Sequence, residues 1–103
     1  MGTMDAAAKT ARLVERTRCR VVVRGRVQGV WFRGSVAEAA RGCGVDGWVR
    51  NRSDGTLEAV FEGRPEVVER LVDFCRHGPP GAVVTRIDTH TEPIHGETIF
   101  TIA

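Results

Sequence analysis

The chain has 103 residues, enough for one domain that buries its own core without disulfides or metal staples. Hydrophobic residues make up 42% and charged residues 27%, ordinary globular values, and no apolar run approaches the roughly 20 residues a membrane-spanning helix needs. The net charge of +2 is too small to point to nucleic acid on its own.

Residues 1–17 carry little apolar periodicity and many small or charged side chains, so a flexible N-terminal extension is expected ahead of a domain covering residues 18–103. The same segment has no apolar core of a signal peptide, and Ala6 breaks the myristoylation pattern. A cytoplasmic location is the resulting expectation.

A first strand is predicted over Arg18–Arg24, with Cys19, Val21 and Val23 on one side and Arg20, Val22 and Arg24 on the other. The stretch Gly25–Arg33, GRVQGVWFR, joins it to a helix predicted over about Arg33–Arg41, with apolar positions Val36, Ala39, Ala40 and Cys43. Gly42 and Gly44 end that helix. Glycines in such a loop let several backbone N–H groups point one way, and a loop of that kind opening onto a helix N-terminus suits an anion. Arg33, in the first turn, has the planar donors that match phosphate oxygens in pairs. No Gly-Lys-Ser/Thr follows, so this is not a Walker loop, and the spacing Gly25, Gly29, Gly34 is not the dinucleotide fingerprint. On spacing alone, a plain strand-to-helix turn with a solvated arginine remains an equal reading.

A second strand is predicted over Val45–Asn51, then a hairpin turn at Ser53-Asp54-Gly55 and a third strand over Thr56–Glu62. In the third strand Leu57, Ala59 and Phe61 alternate with Glu58, Val60 and Glu62, which predicts a sheet buried on one face. The second helix starts at Pro65, where a missing N–H is harmless, and Val68, Leu71, Val72 and Cys75 form its buried stripe. Gly78-Pro79-Pro80-Gly81 stops it. A fourth strand over about Ala82–His90 needs a bulge if Val83, Val84 and Ile87 are to share a face, and a fifth is predicted over Thr98–Ile102 with Phe100 and Ile102 inward. The order predicts an α+β fold: a ferredoxin-like β-α-β-β-α-β sandwich, an antiparallel sheet with two helices on one face.

Charge is unevenly spread. Residues 12–33 hold seven arginines against one acid, and residues 54–73 hold six acids against two arginines. The positive part would draw in a small anion, although a solvated face accounts for most of those arginines equally well. Three cysteines without a C-x-x-C all fall on predicted apolar faces and read as small core residues in a reducing compartment. His77, His90 and His95 have no paired metal-ligand spacing, so no metal and no cofactor is expected.

Four motifs now stand in order: GRVQGVWFR, then GWVRN at 47–51, DGTLE at 54–58 and Gly78-Pro79-Pro80. Together they resemble the acylphosphatase family, over about residues 18–102. The resemblance implies hydrolysis of acyl phosphates to carboxylate and phosphate without metal. It implies a phosphate cradle from the backbone N–H groups of about Arg26, Val27, Gln28, Gly29 and Val30. It also implies phosphate binding by Arg33 and orientation of the attacking water by the side-chain amide of Asn51. Gln28 and Phe32 read as shaping the loop. Asn51 also sits where a turn residue is favoured, Trp48 reads as packing, and Trp31 either covers the pocket rim or rests on the surface. Arg52 departs from the family, where threonine often follows the asparagine. The expected partners are a small-molecule acyl phosphate, with inorganic phosphate or sulfate as product-like ligands, and the chain is expected to be a monomer. No membrane is expected, for want of a long apolar run, and no nucleic acid, because the predicted third strand turns Glu58 and Glu62 outward, against a phosphate backbone.

Overall fold

Strand β1, Thr17–Arg26, follows from the consecutive β-branched residues Val21, Val22 and Val23 at its centre. It belongs to a computed structural model that describes residues 15–103. Most of the expected extension therefore lies outside the described residues. Strand β1 begins at Thr17, and Arg16 is paired with Asp46 at 3.1 Å. Helix α1 spans Phe32–Cys43, β2 spans Asp46–Asn51, β3 spans Leu57–Gly63, and helix α2 spans Pro65–His77. Strands β4, Val83–Glu92, and β5, Phe100–Ile102, complete the chain order.

The five strands lie in the order β4-β1-β3-β2-β5. Strand β1 runs antiparallel to β3 and β4, and β2 antiparallel to β3. The predicted β-α-β-β-α-β plan is thus present, with both helices packed on one face around a core that includes Val21, Val36, Leu57, Phe61 and Leu71. The fifth strand pairs with β2 in parallel, so the sheet is mixed at that edge rather than antiparallel throughout. Phe32 and Phe74 meet edge-on at 6.4 Å and join the two helices, while Phe61 stacks on Phe100 at 5.9 Å and seats β5.

Helix α2 buries Val68, Leu71, Val72 and Cys75 as its pattern predicts. Helix α1 differs: it buries Phe32, Val36, Ala37 and Ala40, and Cys43 is exposed. Cys43 is the last residue of the helix, and the left-handed turn at Gly44 carries Val45 into the core behind it. The expectation that all three cysteines are core residues therefore fails at Cys43. It holds at Cys75, whose thiol is pushed up to about 12 by burial. Strand β4 pairs Arg24 with Arg86 and Gly25 with Val84, so Thr85 is the extra residue of a bulge. The bulge lets Val84 and Ile87 both pack against the core while Val83 stays exposed.

Strand β3 is not buried on one face only. All seven of its residues are buried, including Glu58 and Glu62. It is the central strand, and its second face is covered by arginines from β1 and β2 and by residues 95–97. Glu62, with 0% exposure, accepts hydrogen bonds from the N–H groups of His95 (2.7 Å), Gly96 (3.1 Å) and Glu97 (2.9 Å). It also accepts one from Arg18 Nη1 at 2.8 Å, and Arg18 in turn reaches Glu92 and Glu97 at 3.0 Å. Arg20 and Arg50 bind Glu58 at 3.4 and 2.6 Å. Glu58 and Glu62, expected to face outward against a phosphate backbone, are each paired with arginine. Among the arginines of residues 12–33, Arg16, Arg18, Arg20 and Arg24 are in turn paired with carboxylates.

Burial works against ionisation of Glu62, but the N–H of His95, the Arg18 guanidinium and the N–H of Glu97 outweigh it and hold the carboxyl at about 2, against an ordinary 4.5. A folded value below the unfolded one stabilises the fold fully above about pH 4.5, and that contribution is lost as pH falls towards about 2. Urea unfolding at a series of pH values is expected to show stability falling across this window, with a shallower fall in Glu62→Gln. At pH 7 the same substitution is expected to lower stability by about 2–3 kcal/mol, because a charged acceptor serving four donors is removed while Arg18 keeps two partners.

Candidate active site

The turn between β1 and α1 leaves donors without acceptors. Among the described residues, the N–H groups of Gln28, Gly29, Val30 and Trp31 donate to no backbone carbonyl, and the first N–H groups of α1 are unpaired by the nature of a helix start. No side chain caps that helix and its first turn has no acid, so the positive end of the dipole is open. Gly29, at φ +75°, provides the left-handed bend of this turn.

The side chain of Gln28 is committed elsewhere. Its Nε2 donates to the carbonyls of Arg52 at 2.8 Å and Thr56 at 3.0 Å, on both arms of the β2–β3 hairpin. This is the loop-shaping role expected for it. Phe32 is almost fully buried in the core. The effect of the Gln28 bonds is to hold the amide loop against the end of β2, where Asn51 sits.

A cavity of about 350 Å³ lies between them, lined by Val27, Gly29, Trp31, Phe32, Arg33, Gly34, Asn51 and Ile102. It brings together Arg33, Asn51 and part of the expected loop. Of the expected loop, Val27 and Gly29 line it, whereas Arg26, Gln28 and Val30 do not; Arg26 ends β1 and pairs with Val83. Val27 is buried and Val30 packs against the core, so both offer only their backbone. Arg33 is exposed, and it has no carboxylate partner among the described residues, whereas Arg18, Arg20 and Arg24 each have one. The side-chain oxygen of Asn51, Oδ1, is buried with no hydrogen-bond partner. An orphaned acceptor of this kind costs about 1–3 kcal/mol, which marks a place where a water or ligand donor belongs.

Two lining residues have positions that the sequence leaves open or gets wrong. Trp31 precedes α1 with φ 61° and ψ 28°, and among the described residues it is the only non-glycine with positive φ. It is 66% exposed, on the rim of the cavity. The strand pattern turns Ile102 inward, but it is 45% exposed and lines the cavity. Its pairing with Val49 across the parallel β2–β5 edge brings it beside Asn51, a neighbourhood that a distance of about fifty positions along the chain conceals. Trp48 lies away from the cavity, with the Arg50 guanidinium 5.4 Å from its ring centroid. Arg52, where the family often has threonine, reaches Asp54 at 3.9 Å and does not line the cavity.

Comparison with known proteins agrees with this geometry. The acylphosphatase family model matches residues 19–102. A protein from Gloeobacter violaceus named as an acylphosphatase is 53% identical over 85 residues, covering 82% of this chain and 91% of its own length. An acylphosphatase structure from Coxiella burnetii superposes with a TM-score of 0.86 at 32% identity, covering 91% of this chain and 99% of that one. One from Bacillus subtilis gives a TM-score of 0.82 at 35% identity, covering 84% of this chain and 98% of that one. A family match over most of the chain, on a fold whose loop, arginine and asparagine share one cavity, makes this chain a member of the acylphosphatase family.

Proposed function

We propose that this chain hydrolyses acyl phosphates to a carboxylate and inorganic phosphate, with no metal required. The observation that carries this reading is the cavity that Arg33 and Asn51 line together, with the Asn51 side-chain oxygen buried and unpartnered and the nearby amides of Gln28, Gly29 and Val30 bound to no backbone carbonyl.

The reaction asks little of the protein beyond placement. The leaving group is a carboxylate whose conjugate acid has a pKa of about 4, so it departs as an anion and needs no general acid. The loop amides and the dipole of α1 hold the phosphoryl oxygens, and Arg33 balances their charge through paired donors. Asn51 accepts a hydrogen bond from a water and holds it in line with the bond to be broken. The water oxygen then bonds to phosphorus, the P–O bond to the acyl group breaks, and its electron pair leaves on the carboxylate. One proton of the water stays on its oxygen as the new P–OH, and the other passes to a phosphoryl oxygen, giving dihydrogen phosphate. Such reactions depend mainly on positioning and electrostatics, which these groups supply. Inorganic phosphate and sulfate fit the same amides as product-like ligands.

Phosphate release from benzoyl phosphate in the presence of a chelator tests this directly. The wild type is expected to turn over. Arg33→Ala and Asn51→Ala are each expected to lose roughly 10²–10⁴-fold in kcat/KM while remaining folded by circular dichroism. Inorganic phosphate is expected to raise the Tm of the wild type and of Asn51→Ala but not of Arg33→Ala. A folded but inactive wild type would refute the hydrolase reading.

A further inference from the structure

The cradle accounts for Arg33, Asn51 and the loop amides, but not for the two large apolar side chains on the same cavity. Trp31 holds a left-handed backbone that a bulky residue adopts only with strain, of order 1–3 kcal/mol. Its indole lies directly across Gly34, where a Cβ would stand 2.2 Å from Nε1, so the glycine makes room for the ring. Core packing does not explain the ring's position. It stands between the site cavity and a second cavity of about 400 Å³ that includes Ala39, Phe74 and Pro79, and it is 66% exposed. Ile102 is the other exposed apolar residue on the site cavity, brought there by β5.

We propose that Trp31 and Ile102 form an apolar seat for the acyl group, so that this chain selects acyl phosphates with an aromatic or bulky uncharged acyl group over small or charged ones. The proposal rests on the hydrolase reading above. An acyl phosphate placed with its phosphoryl group on the amides has to extend its acyl group past the cavity rim, where these side chains stand. An aromatic ring can stack on the indole and cover Ile102 at the same time. A carboxylate on the acyl group would find no further cation, because among the described residues Arg33 is the one cationic residue lining the cavity, and the proposed reaction engages it with the phosphoryl group. The acyl group lies away from the phosphorus, so its contacts are alike in ground and transition states and act mainly on KM.

The test is kcat/KM on benzoyl phosphate and on acetyl phosphate for the wild type, Trp31→Gly, Trp31→Phe and Ile102→Ala. Trp31→Gly removes the indole while accepting the left-handed backbone without strain, so the turn is kept. It is expected to lower the benzoyl phosphate value about tenfold more than the acetyl phosphate value, through KM, and Ile102→Ala about threefold more. Trp31→Phe is expected to keep most of the preference. Wild-type turnover of both substrates, with either variant lowering both by one common factor or neither, would overturn the acyl seat and leave the hydrolase reading intact. A wild type that hydrolyses neither would overturn both.

Discussion

One side-chain amide determines whether this molecule has a site. The loop after β1 supplies donors and the end of β2 supplies an acceptor, and these belong to separate parts of the sheet. Gln28 joins them with two hydrogen bonds, of 2.8 and 3.0 Å, to carbonyls on either arm of the β2–β3 hairpin. The strand order makes the join possible, because β3 lies between β1 and β2 and its first residues come up beside the loop. With Gln28 bonded to the hairpin carbonyls, the loop amides at 28–30 and the oxygen of Asn51 are left unpaired, and Gly29 and Asn51 line one cavity. Buried polar groups without partners are expensive in a folded protein, and among the described residues Asn51 Oδ1 is the buried side-chain polar atom left without one.

The charges of the chain are divided by the same sheet. On the face away from the helices, arginines of β1 and β2 are absorbed by Glu58, Glu62 and Glu92, in pairs of 2.6–3.4 Å. Removing those cations from play matters for function. A protein with several free arginines near an anion site would offer competing places for a phosphoryl group. Arg33, by contrast, lines the cavity without a carboxylate partner among the described residues, so charge attraction and hydrogen-bond geometry favour the same place.

Much of this is legible in the sequence, and what is not has particular reasons. Helix α2 is readable because its start, stripe and stop are all local: Pro65, the Val68 to Cys75 spacing, and Gly78 with two prolines. The loop and its arginine are readable because the glycines and Arg33 are close together in the chain. The bulge in β4 is visible as a conflict of phase, although its place at Thr85 is not. The second buried face of β3 is hidden, because alternating glutamates look solvated until the arginines and the 95–97 amides that pair with them are placed in space. Cys43 is misplaced because a periodic pattern does not show where the helix leaves the core. Ile102 and the strained Trp31 need the tertiary structure, one for a parallel strand pairing and the other for a backbone angle that no residue pattern reports.

In the proposed reaction the cavity holds the phosphoryl group and directs a water at phosphorus, rather than at the acyl carbon. Hydrolysis of benzoyl phosphate in ¹⁸O-labelled water, followed by mass spectrometry of both products, tests it most directly. Attack at phosphorus predicts that the label enters inorganic phosphate and leaves benzoate unlabelled. Label in benzoate would show attack at the carbonyl carbon, and would contradict the roles assigned to the loop amides, Arg33 and Asn51.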